Sequence, residues 1–204
     1  VGYQWYGEKK VYCPSILDYP NDMKADLVTS DWQLLRDFVE VHNSADAVVT
    51  WYGKGFDYKW LQAKCFEYKL PYLAPIPHID LCFTAKAHFK AGGNSLKNIS
   101  ELGGFKQSKT PVDSDNWRRA AVGEEWAIRN VISHCKSDVQ MTSEAYTRMK
   151  PLIRNGPRMG PVGTCSNCGS DALTFRGRAL TKYKGEFTRF SCKDCGSWGQ
   201  KPRG

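Results

Sequence analysis

Two short stretches, "CSNCGS" and "CKDCGS", constrain this chain of 204 residues more than any other feature. Cys165 and Cys168 form one Cys-x-x-Cys pair and Cys192 and Cys195 a second, each followed by a glycine, Gly169 and Gly196. Two thiolates three positions apart on a tight turn can face one cation, and the glycine lets the backbone pass through positive φ beside the sulfurs. Two such knuckles predict a closed tetrahedral zinc site, structural in kind, with no open position for catalysis. A pair of disulfides is the alternative, but it calls for an oxidising compartment and nothing in the chain points to secretion. Between the knuckles, "ALTFRG" and "ALTKYKGEFTRFSC" read as strands with a turn at Lys184 and Gly185, so residues 154–204 are expected to form a β-rich zinc ribbon. A module of about fifty residues buries too little apolar surface to fold unaided, and metal affinity supplies most of its stability.

The ribbon also holds the charge. Of the net +8, residues 1–150 contribute almost nothing, with 19 Lys and Arg against 18 Asp and Glu, whereas residues 151–204 hold 10 against 3. A neutral body with a basic appendage implies a polyanionic partner, nucleic acid foremost. Arg176, Arg178, Lys182, Lys184, Arg189 and Lys193 are the candidate phosphate contacts. They are interleaved with Phe175, Tyr183, Phe187, Phe190 and Trp198, rings that either stack on bases or form the ribbon's own small core.

Residues 1–153 read as a separate α/β body. "VGYQWYGEKKVYC" alternates like a hairpin turning near Gly7 and Glu8. "SDWQLLRDFVEVHNSA" is a helix capped by Ser30 or Asp31, with Leu34, Leu35, Phe38, Val39 and His42 along one stripe. "DAVVTWYG" is a strand that breaks at Gly53 and Gly55 and delivers Asp57 as the next helix begins, with Leu61 and Cys65 following at four-residue steps. "PHIDLCFTAKAHF" is a short strand entering a helix, and "NSLKNISELGG" a capped helix ended by a glycine pair. Strands alternating with helices predict α/β layering. The last helix, "EEWAIRNVISHCKSDVQMTSEAYTRMKPLI", carries an apolar stripe of Ile128, Val131, Ile132, Cys135, Val139, Thr142, Tyr146 and Met149. His134 and Asp138, four apart, share the face that borders this stripe. Cys13, Cys65, Cys82 and Cys135 sit singly in apolar patterns and read as buried free thiols.

No apolar run approaches the ~18 residues of a membrane span, and no charged-then-apolar leader opens the chain. A soluble, cytoplasmic protein with no membrane partner is expected.

Asp57 after "WYGKGF", the "HIDL" segment, "NSLKNISELG" and "HCKSDVQMTSEAY" occur in the order and near the spacing of the DnaQ-like, DEDD-type 3′–5′ exonucleases. Residues 1–150 resemble that family, and the whole chain is similar to phage and bacterial exonucleases that carry a C-terminal zinc ribbon. The resemblance implies a ribonuclease-H-like mixed sheet flanked by helices and two catalytic Mg²⁺ or Mn²⁺ ions. It implies Asp57 as the second-motif metal ligand, Asp138 as the final-helix ligand, and His134 as the residue that positions the attacking water. A nucleic-acid substrate, DNA rather than RNA, replication or repair proteins as partners, and the cytoplasm of a bacterium or infected host follow from the same likeness. The residue types suit phosphodiester hydrolysis, because carboxylates are the hard ligands these cations take and an imidazole accepts a proton near neutral pH.

Three departures from the family pattern stand in the chain. The first-strand Asp-x-Glu does not occur in residues 1–204 and is expected ahead of Val1. Tyr52 stands where many relatives have asparagine, and three residues separate His134 from Asp138, a spacing more usual where tyrosine replaces the histidine. Two non-enzymatic alternatives keep part of the pattern. A nucleic-acid-binding or replication scaffold with an incomplete nuclease site keeps both domains, while a zinc-ribbon transcription factor leaves the body unexplained.

Overall fold

The computed structural model describes residues 1–20, 31–106, 111–153, 158, 160–181 and 185–202. In chain order the body contains α1 (Trp32–Asn43), β1 (Val48–Thr50), α2 (Asp57–Glu67), β2 (His78–Asp80), α3 (Leu81–His88), α4 (Leu96–Gly103), α5 (Ser114–Ala121) and α6 (Glu125–Met149). The ribbon follows as β3 (Leu173–Thr181), β4 (Gly185–Cys192) and β5 (Trp198–Pro202). The expected α/β body with a small β-rich C-terminal module is therefore what the chain forms.

Among the described residues the body's sheet is a parallel pair, β1 beside β2, in register Val48 with His78, Val49 with Ile79 and Thr50 with Asp80. Both strands end at the same level, so the loop after β1 and the helix after β2 leave from one edge, the usual place for a site in an α/β layer. One core cluster joins Ile79, Leu81, Ala85, Ile99, Ala145, Tyr146, Met149 and Ile153, tying the sheet and α3 to α4 and the C-terminal half of α6. A second, of Leu35, Val39, Cys65 and Leu73, locks α1 to α2. Ile153 belongs to the first cluster.

Several expectations are corrected. The N-terminal stretch does reverse at Gly7 (φ 90°), yet its ladder is a single bridge between Tyr3 and Tyr12. An isolated two-stranded hairpin is marginal in water, and here the stacked Tyr3 and Tyr12 rings, 5.1 Å apart, replace further backbone pairing. Asp31 precedes α1 but makes no side-chain cap bond, because its carboxylate accepts the Tyr68 hydroxyl and lies 3.8 Å from Lys64 Nζ. Ser30 lies outside the described residues. The strand of "DAVVTWYG" stops at Thr50, since the loop that follows turns away to meet Asp80. Helix α5, capped by the Asp113 carboxylate on the Asn116 N–H, is an additional element between α4 and α6.

Helix α6 spans 25 residues as expected, but its buried line is Ser137, Met141, Ala145 and Met149, with Ala127, Ile128 and Tyr146. Small residues at 137 and 145 let α3, α4 and β1 approach that line. Val131, Ile132, Cys135 and Val139 are half-buried under the N-terminal stretch, where Gly2 packs on Val139 and Cys13 donates its thiol to the Ile132 carbonyl oxygen. Cys65 and Cys82 are buried as expected, while Cys13 and Cys135 are half-buried in this contact.

In the ribbon, β4 is central, with β3 and β5 antiparallel on either side. The two stretches read as separate strands before the turn are one strand, β3, interrupted by a bulge between Phe175 and Arg178. Lys182, Tyr183 and Lys184 lie outside the described residues. Phe187 and Phe190 are buried and form the ribbon's core, and Phe175 and Trp198 remain exposed.

Candidate functional site

The loop from Trp51 to Phe56 carries Asp57 from β1 to the first turn of α2. Its path is set by Asp80, the last residue of β2, which is 5% exposed. Asp80 Oδ1 accepts the Tyr52 N–H (2.9 Å) and the Cys82 N–H (3.1 Å), and Oδ2 accepts the Lys54 N–H (3.0 Å). Thr50 Oγ1 accepts the Gly53 N–H at 3.2 Å. Tyr52 is held at φ 62°, a left-handed conformation that asparagine or glycine adopts far more readily than tyrosine. Asparagine would meet less backbone strain here than tyrosine does. Gly55 lets the Tyr52 ring lie against the loop backbone, since a Cβ there would lie 2.5 Å from the ring and displace it.

Asp57 itself stays at the surface. Its carboxyl is raised above the usual carboxylate range, chiefly by desolvation, with the neighbouring Asp80 charge adding to the rise. Around it lies a strip of exposed rings and lysines. Lys86 Nζ sits over both the Tyr52 and Phe83 rings, 5.2 and 5.5 Å from their centroids, and the Tyr52 ring covers Gly55. Gly55 in turn lines a shallow groove of about 440 Å³ on the outer face of α2 with Phe56, Lys59, Trp60 and Ala63.

His134 and Asp138 meet one turn apart on α6, His134 Nε2 lying 3.5 Å from Asp138 Oδ2. The His134 side chain is 12% exposed and that of Asp138 33%, so the ring is packed and the carboxylate is reachable from solvent. Trp117 of α5 presents its ring edgewise to the imidazole at 6.1 Å. Asp138 Oδ1 is buried and, among the described residues, has no hydrogen-bond partner. A buried acceptor without a donor is costly, and a cation is one group that would satisfy it. α6 packs against β1, the strand that leads into the Asp57 loop. Asp57, His134 and Asp138 do not form a compact ligand cluster by themselves. Among the described residues the one group of three or more metal-type ligands within 4.8 Å of one another is the four cysteines.

That cluster is complete. Cys165 Sγ lies 3.6 Å from Cys195 Sγ, and Cys168 Sγ 3.7 Å from Cys192 Sγ. The two knuckles are built alike: the Cys165 N–H bonds the Ser170 carbonyl oxygen and the Cys192 N–H that of Ser197. Gly169 and Gly196, at φ 77° and 69°, return their N–H groups to the carbonyls of Cys165 and Cys192. Four converging sulfurs suit a soft-ligand tetrahedral ion such as zinc. Of the candidate phosphate contacts, Arg176, Arg178, Arg189 and Lys193 are exposed. Arg178 pairs across Thr188, and Thr188 pairs with Lys201, so Arg178 and Lys201 share one face, whereas Arg189 alternates to the other. Among the described residues the cations are therefore not all on one side.

The residues that sequence reading missed are Asp80, Thr50, Trp117 and Lys201. Asp80 alone had a visible signal, an aspartate at the end of a strand and the head of a helix, but nothing marks which loop its second oxygen will meet.

A model of the RNase H superfamily matches residues 17–150. The chain belongs to the RNase H superfamily, and its body is accordingly a ribonuclease-H-like domain. Membership points to hydrolysis of nucleic acid in general terms and to divalent metal ions as the usual cofactors of such nucleases. No curated protein and no solved structure matches the chain. Among the described residues no helix is long and apolar enough to cross a membrane.

Proposed function

We propose that the chain is a 3′–5′ exonuclease of the DnaQ-like, DEDD type, acting on nucleic acid, DNA in preference to RNA, with the ribbon as a zinc-bound grip on the substrate. The observation that carries this is the buried, unpartnered Oδ1 of Asp138 beside His134, on a helix packed against the strand that leads to Asp57. Asp57 and Asp138 hold Mg²⁺ or Mn²⁺ in this scheme, and Cys165, Cys168, Cys192 and Cys195 hold one zinc. Divalent cations held there would supply charge stabilisation for phosphodiester hydrolysis. His134, packed against Trp117, orients a water and takes its proton. The strip of Tyr52, Phe83, Phe56 and Trp60 with Lys59 and Lys86 fits bases on rings and phosphates on ammonium groups.

A two-metal site needs more carboxylate than Asp57 and Asp138 offer, and residues 1–204 contain no Asp-x-Glu. The separation of Asp57 from His134 and Asp138, which form no single ligand cluster among the described residues, favours a second reading, a nucleic-acid-binding replication or repair scaffold without hydrolysis. The test is metal-dependent cleavage of 3′-labelled single strands by a chain extended ahead of Val1 with an Asp-x-Glu strand, alongside Asp57→Ala and Asp138→Ala. Each variant is expected to lose at least ~100-fold in rate with little change in melting temperature, the scale of removing a group that acts in the transition state. His134→Ala should be slowed less. Equal cleavage by parent and both aspartate variants would overturn the assignment, and binding without cleavage would establish the scaffold.

A further inference from the structure

Asp80 does more than an N-cap requires. Capping α3 takes one bond, from the Cys82 N–H to Oδ1, and serine or threonine would serve as well. The remaining capacity of the carboxylate goes to the loop ahead of α2, where it receives the N–H groups of Tyr52 and Lys54. Asp80 is buried, and among the described residues no lysine or arginine forms an ion pair with it, so backbone amides meet its charge. From these two clamped residues the constraint passes on. The Tyr52 carbonyl accepts the Phe56 N–H at 3.1 Å and the Gly53 carbonyl accepts the Tyr58 N–H at 2.9 Å. Phe56 and Tyr58 are the residues on either side of Asp57.

We propose that Asp80 is a positioning residue, whose carboxylate clamps the Tyr52 and Lys54 amides and so fixes the direction in which α2 presents Asp57. The clamp also explains how Tyr52 is kept at φ 62°, since the bond to its N–H opposes relaxation of the strained residue. Thr50, in register with Asp80 across the two strands, sets the same loop from the other side through the Gly53 N–H. The importance of the clamp for a metal at Asp57 rests on the nuclease reading above, whereas the clamp itself does not.

The experiment uses the full chain with Asp80→Ser, which keeps a good cap on α3 but has no second oxygen for the loop, and Asp80→Asn as a second variant. Amide hydrogen exchange is followed residue by residue by nuclear magnetic resonance. In Asp80→Ser the amides of Tyr52, Lys54, Phe56 and Tyr58 are expected to exchange at least ~10-fold faster, the scale of losing a hydrogen bond to a charged acceptor, while the Cys82 amide keeps its protection. Unchanged rates at Tyr52 and Lys54 would overturn the clamp. Faster exchange at those two with parent rates at Phe56 and Tyr58 would overturn its reach to Asp57. Mn²⁺ titration of the same proteins, read as paramagnetic broadening at Asp57, should show affinity about tenfold weaker in both Asp80 variants. Parent affinity in both would overturn the positioning role. Asp57→Ala separates the two ideas: should it leave the Mn²⁺ response unchanged, the metal-site reading falls, and the positioning role is decided by the four amide rates.

Discussion

The two candidate cation sites of this molecule both depend on turns at positive φ, and they are built in opposite ways. In the ribbon each turn is four residues of local sequence, with Gly169 and Gly196 at the left-handed positions and all four sulfurs already gathered within 4.8 Å. In the body the turn is held from outside, by Asp80 on a different strand, and its left-handed position is filled by Tyr52. Its metal-type ligands come from α2 and from α6, far apart in sequence. Each half of the ribbon's cluster is one relaxed turn; the body's candidate ligands stand on separate helices, and the loop leading to Asp57 is strained. On the proposed zinc reading an ion would order so small a ribbon, whereas the body has two apolar clusters of its own.

The largest effect that would break this contrast is loss of zinc. Elemental analysis of the purified chain is expected to return zinc, and Cys192→Ser or a strong chelator should unfold β3 to β5 while the helical signal of the body and its melting persist. Structural zinc contributes about 10–16 kcal/mol in comparable peptides, far more than the ribbon's few buried rings. A ribbon that keeps its fold without metal would place its stability elsewhere.

Next in size is the effect of removing the ribbon on binding. Deleting residues 161–204 should weaken affinity for a single-stranded oligonucleotide much more than it changes the rate on bound substrate. With about four phosphate contacts, the slope of log affinity against log salt is expected on the order of −3 in the parent, and it should flatten in the deletion. An unchanged slope would mean that the strip around Tyr52, not the ribbon, holds the strand.

Acid separates the two regions differently. His78 Nε2 lies 2.7 Å from Thr50 Oγ1 and its ring 4.4 Å from that of Tyr58, whose hydroxyl bonds His42. Burial first, then the Lys54 charge, lowers the His78 pKa to about 4. The unfolded chain binds this proton near pH 6.5 and the folded body does not, so body stability should fall as the pH drops from about 6.5 toward 4. Urea unfolding at several pH values checks this, and His78→Gln should flatten the dependence. The ribbon's acid limit should instead follow metal release as its thiolates protonate.

The smallest expected effect sharpens the comparison at its centre. Tyr52→Asn should raise body stability by up to about 1 kcal/mol by relieving the left-handed strain, measurable as a small rise in melting temperature. A fall would show that the Tyr52 ring, packed on Phe83 and under Lys86, contributes more than the strain costs.

The same difference explains what was legible in the sequence. Cys165, Cys168, Cys192 and Cys195 could be read directly because their ligand geometry is written into two tight turns. The alternation of strands and helices, the α4 cap at Ser95 and the length of α6 were also visible, since each is set by neighbouring residues. The rotation of α6 was not. Its buried line passes through Ser137 and Ala145, residues without a strong apolar signal, because close packing against α3, α4 and β1 favours small side chains there. Asp80 could be seen as a cap but not as a clamp, because the register of β1 on β2 brings the Tyr52 loop to it. Which face each ribbon cation occupies waited on the bulge between Phe175 and Arg178 and on the pairing with β5.

Helix α6 has one more consequence, a length. It carries Asp138 near its middle and is capped at its C-terminus by Lys150, whose carbonyl oxygen accepts the Asn167 side-chain N–H of the first knuckle at 3.0 Å. With about 1.5 Å of rise per residue, the twelve steps between Asp138 and Lys150 come to roughly 18 Å. The helix is thus a rod of fixed span between the candidate acidic site and the ribbon's point of attachment. At about 3.4 Å of rise per nucleotide in a stacked strand, that span is some five nucleotides, so oligonucleotides shorter than this would touch one end of the rod and not the other.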